Sequence, residues 1–229
     1  MHPLIRVLIG FAAALSFVSA SAQNPPREFY ELSTPLPTDS PGKVEVTEFF
    51  WYGCPHCYAL EPSLEEWVLK LPKDVVFKRI PAIFNDNWAA SARIYYTFEA
   101  MGLLPRLHRA FFDAIHKDNL RPTSESQVLD WLKQHGVDTA QFQAAEKSFA
   151  TESRLRRAAQ LLEQSKIDGV PAIVVQGRYV VVAASSPSQM LQTVDKFIDQ
   201  ARKDLPQAEA VQQQPKPAPK AAAKTSGKG

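Results

Sequence analysis

Apolar residues along this chain alternate between two periods, and the places where the period changes outline its elements. Val44-Glu45-Val46-Thr47-Glu48-Phe49-Phe50 is rich in β-branched and aromatic residues and predicts a strand. A helical pattern follows from Tyr58 to Leu69, interrupted at Pro62, where a kink or a second segment is expected. Leu64, Trp67, Val68 and Leu71 mark its apolar face, and Leu71-Pro72-Lys73-Asp74 ends it before a second strand, Val75 to Ile80. Strand, helix and strand in that order force parallel pairing and a right-handed crossover. From Asn85 to about Ile167 only helical periods appear. Trp88, Ala92, Tyr95 and Tyr96 form one stripe, and Leu104, Leu107, Phe111, Phe112 and Ile115 form the next. Val128, Leu129, Trp131 and Leu132 follow a capping-box candidate, Ser124-Glu125-Ser126-Gln127, and stop at Gly136. Phe142, Ala145 and Phe149, then Leu155, Ala158, Leu161 and Leu162, complete the series; spacing of this kind belongs to a buried helix face.

Strands return at Gly169 to Val175 and Tyr179 to Val182, joined by Gln176-Gly177-Arg178 as a hairpin turn. Ser186-Pro187-Ser188-Gln189 caps a last helix with Met190, Leu191, Val194, Phe197 and Ile198 on its apolar side. Upstream, Asn24 to Gly42 is proline-rich, with a short strand candidate at Phe29 to Leu32 and turn chemistry at Asp39-Ser40-Pro41-Gly42. The order is β, βαβ, helices, ββα, an α/β layer split by an all-helical insertion.

The two ends read differently from this middle. Arg6, an apolar stretch from Val7 to Val18 too short to span a bilayer, and Ala20-Ser21-Ala22 together read as a signal peptide over residues 1–22. Export places the protein in an oxidising compartment, the periplasm if the chain is bacterial. The net charge of +2 hides a basic C-terminal tail, residues 207–229, where Lys216, Lys220, Lys224 and Lys228 stand against Glu209 alone. Proline, alanine, glutamine and glycine fill the rest of it, a composition that builds no core and predicts disorder.

The chain has two cysteines, both in Phe49-Phe50-Trp51-Tyr52-Gly53-Cys54-Pro55-His56-Cys57, where the first strand hands over to its helix. Cysteines three apart at a helix start face the same way. The unpaired N–H groups and dipole of that helix end favour a thiolate at Cys54, and a thiolate is the attacking species in disulfide exchange. Pro55 suits the first helical position, and His56 offers a positive or donating group to the same sulfur. A structural zinc site needs four ligands, whereas His108, His116 and His135 lie in distant helical segments. A c-type haem site needs histidine after Cys57, and Tyr58 is there. A purely structural disulfide closing so short a loop removes little chain entropy, which favours redox work.

The Glu48-Phe49-Phe50 strand end, Cys54-Pro55-His56-Cys57-Tyr58, the long helical insertion and Gly169-Val170-Pro171-Ala172 together resemble the DsbA-type thiol:disulfide oxidoreductases of the bacterial periplasm. The resemblance spans roughly Lys43 to Leu205 and implies a thioredoxin-like fold with an inserted helical subdomain. Residues 23–84 and 168–206 would form its two parts and residues 85–167 the insertion. One departure is Trp51-Tyr52-Gly53, where a less polar pair is usual, and it bears on the substrate groove. By resemblance, Cys54 is the exposed nucleophile, Cys57 the buried resolving thiol, and Pro55-His56 the dipeptide that tunes them. Pro171 is then a cis-proline, with Val170 offering backbone groups to an extended substrate peptide; a trans-proline starting a strand is the alternative. Glu48 shares strand parity with Val44, Val46 and Phe50, an odd place for a charge. It is either the buried carboxylate that moves the Cys57 proton or half of a salt bridge to Lys78 or Arg79. Glu61 reads as a solvated helix residue.

The implied activity is oxidation of cysteine pairs in exported proteins by a monomer. No metal or other cofactor and no nucleic acid is called for, and a quinone-linked inner-membrane partner of the DsbB type would reoxidise the protein. An isomerase or reductase would use the same cysteines, but isomerases of this group carry a dimerisation domain that does not fit between Gln23 and Lys43. A peptide-binding protein with a structural disulfide would need no reactive thiol.

Overall fold

The computed structural model describes residues 28–182 and 186–212, with side chains as far as Leu205. The expected signal peptide and the tail beyond Gln212 lie outside the described residues. Five strands, β1 (Phe29–Glu31), β2 (Val44–Phe50), β3 (Val75–Pro81), β4 (Ala172–Val175) and β5 (Tyr179–Val181), form one sheet in the order β1-β5-β4-β2-β3. β2 and β3 pair in parallel, as a helix-linked crossover requires, and every other neighbour is antiparallel. α1 (Pro55–Leu69) makes that crossover, and α2 (Asp86–Ala100), α3 (Leu104–His116), α4 (Glu125–Gln134), α5 (Thr139–Glu146) and α6 (Phe149–Ser165) stand between β3 and β4. α7 (Pro187–Gln212) closes the chain. This is the α/β fold with a helical insertion.

β2 is buried along its whole length because both faces are covered, which explains its unbroken apolar character. On one face Val44, Val46 and Ile173 pack with Leu60 and Leu64 of α1 and Met190, Val194 and Ile198 of α7. On the other, Phe49, Ala172, Val174 and Val180 meet Leu161 and Leu162 of α6. A third cluster joins the C-terminal end of β2, through Phe50 and Tyr52, to the aromatic stripes of α2 to α5. The stripes are therefore core, and they press directly on the cysteine turn.

Several local expectations change. α1 runs unbroken through Pro62, so no second segment starts there. Anchoring by Leu60 and Leu64 against the sheet outweighs the one N–H that proline withholds. Ser124 sits at the N-cap of α4 without a side-chain cap bond, and Gln127 instead accepts from the Arg121 N–H at 3.0 Å. Gly136 does follow the end of α4, at φ +67°. β4 starts at Ala172 rather than Gly169, and the Val170–Pro171 bond is cis. The hairpin forms with Gln176 and Gly177 both at positive φ, the backbone that tight hairpins need. At Gly177 a Cβ would also collide with the Leu36 backbone. Ser186 caps α7, its Oγ accepting from the Gln189 N–H at 3.2 Å. That helix continues to Gln212, through residues 207–212 that were expected to be disordered. Once its start is docked, extending a helix over alanine, glutamine and glutamate needs no new nucleus.

Candidate active site

Cys54 is the N-cap of α1, with extended backbone (φ −84°, ψ 118°) and Pro55 following in the first turn. Its Sγ accepts from the Cys57 N–H at 3.4 Å, while Trp51 O accepts from the Cys54 N–H at 3.0 Å and closes the preceding turn. Gly53 is required there, because a Cβ would run into the Trp51 ring. That indole stacks on Trp88 at 4.2 Å and donates to Ser91 Oγ at 3.0 Å, so α2 holds the turn from one side.

The two thiols are free and unlike. Cys57 is fully buried, and Cys54 is 7% exposed, far less open than the resemblance implies. The cis-proline loop lies against it, with Val170 O accepting from Cys54 Sγ at 3.4 Å. The Cys54 pKa is lowered to about 6. The Cys57 thiol contributes most, followed, after an opposing effect of burial, by the Cys57 and His56 N–H groups and the His56 charge. The Cys57 thiol is pushed far up, first by burial and then by its neighbour Cys54 and the charge of Glu48. His56 and Pro55 are exposed at the mouth.

Glu48 is fully buried on the α1 face of β2, opposite Arg79 of β3 in register. Arg79 Nε donates to Glu48 Oε2 at 3.0 Å. Lys78, its neighbour, points to the other face and pairs with Glu45 at 2.7 Å. Glu61 is not the solvated helix residue expected; it is fully buried and accepts from Arg79 Nη2 at 2.6 Å. Cys57, Glu61, Leu64 and Val68 recur at helical spacing along the inward stripe of α1, a signal present in the sequence. One cation thus serves two buried carboxylates. Burial and the Glu61 charge raise the Glu48 pKa to about 8 against the pull of Arg79, whereas His108 and Arg79 hold Glu61 below the usual range against its own burial. The reduced site therefore holds a thiolate at the helix start, largely covered by the cis-proline loop, a fully buried thiol and, beneath them, a carboxyl that carries a proton at neutral pH.

Tyr52, expected to bear on the groove, is buried instead. Its hydroxyl lies 2.8 Å from His108 Nδ1. His108, far from the cysteines in sequence, lies four residues from both Leu104 and Phe112 on the inward stripe of α3, a spacing that signals its burial.

Comparison with known proteins agrees with this geometry. A family model described as a DSBA-like thioredoxin domain matches residues 72–195. Thiol:disulfide interchange protein DsbA of Azotobacter vinelandii is 43% identical over 178 residues, covering 77% of this chain and 83% of the relative. That of Burkholderia cepacia is 42% identical over 184 residues, covering 78% and 86%. The crystal structure of Pseudomonas aeruginosa DsbA superposes with a TM-score of 0.74 at 39% identity, covering 80% of this chain and 97% of that one. The cysteine pair at a helix start, the thioredoxin-like sheet and these similarities show that the chain belongs to the DsbA family of thiol:disulfide oxidoreductases.

Proposed function

We propose that this protein oxidises cysteine pairs of exported proteins in the periplasm by donating a Cys54–Cys57 disulfide. The observation that carries the reading is the contrast between Cys54, whose Sγ caps α1 by accepting from the Cys57 N–H at 3.4 Å and is favoured as thiolate, and Cys57, fully buried and favoured as thiol. A substrate thiolate attacks Cys54 Sγ of the disulfide, the S–S bond breaks, and Cys57 leaves with a proton, for which Glu48 is the nearby source. A second substrate thiolate then attacks the substrate sulfur of the mixed disulfide and expels Cys54 as thiolate. The substrate loses two electrons, and the protein holds them as its dithiol. Reoxidation by a DsbB-type, quinone-linked inner-membrane partner completes the cycle, with the protein working as a monomer and without a bound cofactor or nucleic acid.

Direction follows from the thiolate. With its pKa near 6, ionisation of Cys54 stabilises the dithiol at pH 7 by about 1.4 kcal/mol, ~30 mV for a two-electron couple. The disulfide is therefore the more ready to be given away. Pro55, His56, Val170 and Pro171 frame the sulfur, and Phe84, 42% exposed, adds an aromatic edge through Trp88 and Trp51 where an extended peptide can lie. An equilibrium with glutathione tests the reading: a potential well above that of glutathione is expected, and one below it would make the protein a reductase.

Two smaller effects follow. The thiolate absorbance of the reduced protein should titrate with a midpoint near pH 6; a midpoint at 8 or above would remove the activated nucleophile. His56→Leu should raise that midpoint and lower the potential by ~10–30 mV while the fold stays intact, since the side chain is exposed and its charge acts on Cys54 less than the Cys57 thiol and the backbone N–H groups do. An unchanged potential would show that the Cys57 thiol and the backbone N–H groups suffice without the His56 charge.

A further inference from the structure

Among the described residues, four buried side-chain atoms lack a hydrogen-bond partner: Glu48 Oε1, Glu61 Oε2, His108 Nε2 and Arg109 Nη1. Such orphans are rare in folded proteins, and three of these belong to one connected group. Its members run from Tyr52 through His108, Glu61 and Arg79 to Glu48. His108 Nε2 lies 3.2 Å from Glu61 Oε1, too oblique for a well-aligned hydrogen bond but within pairing distance.

The tautomer follows from the neighbours. An ionised Glu61 accepts only, so the ring nitrogen facing it must carry a proton. Burial and the nearby Arg79 charge disfavour a second proton on the ring, which makes Nδ1 the acceptor of the Tyr52 hydroxyl at 2.8 Å. Tyr52 thereby locks the imidazole with its N–H toward Glu61. Glu61 then has the hydrogen bond from Arg79 Nη2 and, 3.2 Å away, the His108 N–H as a favourable dipole, whereas Glu48 has only Arg79 Nε.

We infer that His108, locked by Tyr52, is a positioning residue of the disulfide chemistry: by siding with Glu61 it leaves Glu48 as the carboxyl that keeps the proton beneath Cys57. The inference rests on the proposed role of Glu48 as proton source. Of the other groups facing the cluster, Arg109 also favours an ionised Glu61, but less than His108 and Arg79 do. Tyr95 of α2 donates to the Arg79 carbonyl at 3.4 Å, Arg109 of α3 lies over the Tyr58 ring with Nε 3.6 Å from Asp113, and Glu65 lies one turn further along α1. Cys54 and Cys57 act on Glu48 alike whichever way His108 is turned.

The test follows the carboxyl carbon resonances of Glu48 and Glu61 through a pH titration of the reduced full chain, alongside the pH profile of single-turnover exchange. In His108→Phe the Glu48 midpoint should fall by about one pH unit and that of Glu61 should rise, bringing the two steps together. The high-pH limb of the exchange rate should move down with Glu48. His108→Gln, which puts an amide N–H near the place of Nε2, should restore most of the separation. Tyr52→Phe keeps the ring and loses only the lock, so it should shift both midpoints in the same directions by less and carries the test if His108→Phe does not fold. Midpoints that stay in place in Tyr52→Phe and in the folded His108 variants overturn the inference. If the midpoints move as expected but the rate profile does not, the positioning stands and the proton role of Glu48 fails.

Discussion

Cys57→Ala should form a lasting covalent complex with a single-cysteine peptide activated as its thionitrobenzoate disulfide, whereas Cys54→Ala should react at least ~100-fold more slowly at pH 7. In the parent, with a pKa near 6, Cys54 is mostly thiolate at that pH; the variant loses the Cys57 thiol that lowers it most but keeps the two backbone N–H groups and His56, so a reactive thiolate fraction remains. It attacks the peptide sulfur and expels thionitrobenzoate, forming a mixed disulfide. In the parent, Cys57 then attacks Cys54, the peptide thiol leaves, and the complex disappears. Without Cys57 that exit is closed. The reverse variant has only a sulfur that is fully buried and held as thiol, so both access and thiolate fraction are against it. Cys54 itself is 7% exposed, which means that the peptide must approach along the Val170–Pro171 loop rather than meet an open sulfur. Non-reducing gels and thionitrobenzoate release measure both steps, and equal trapping by the two variants would reverse or abolish the assignment of nucleophile and resolving thiol.

Much of this site is legible in the sequence because its parts are local. A strand, a turn and a helix start lie within residues 44–57, and the helix end that activates Cys54 is implied by the same few residues. The hairpin turn and the apolar stripes are likewise patterns of neighbours. What is less legible depends on distant segments meeting. Glu48 showed itself as a charge on an apolar face, and Arg79 as one of two possible partners, but only the parallel register decides for Arg79 over Lys78. Glu61 and His108 come from separate helices and look ordinary alone, since a charged residue on a helix is usually solvated. Their helical spacing with Cys57 and Phe112 carried the warning. Tyr52 reads as a groove residue until α3 is seen to cover it.

Glu48→Gln should slow reduction of the disulfide by ~10-fold or more near neutral pH without destabilising the protein. At pH 7 the parent side chain, with a pKa near 8, carries a proton and can hand it to Cys57 as that sulfur leaves. Glutamine fills the same space but has no proton to give. Stability separates this role from a structural one. Glu48 keeps its proton in the folded state up to about pH 8, while in the unfolded chain it loses it near the ordinary glutamate value of 4.5. Between those values the folded state binds more protons, so the contribution of this group is fully present below about pH 4.5 and is lost as pH rises toward 8. The loss amounts to as much as ~4 kcal/mol by pH 8, an upper bound because Arg79 and Glu61 titrate with it. Glutamine has no such loss, so the variant should match the parent at pH 4 and equal or exceed it at pH 8. Arg79 is not orphaned by the change, because Glu61 still accepts from its Nη2 at 2.6 Å. If Glu48 served only as a partner for Arg79, the substitution would lower the denaturation midpoint at pH 7 and leave the exchange rate of the folded protein alone. Denaturant unfolding at pH 4, 7 and 8, together with single-turnover exchange corrected for the substrate thiolate fraction, distinguishes the two. Lower stability with an unaltered rate would take Glu48 out of the mechanism.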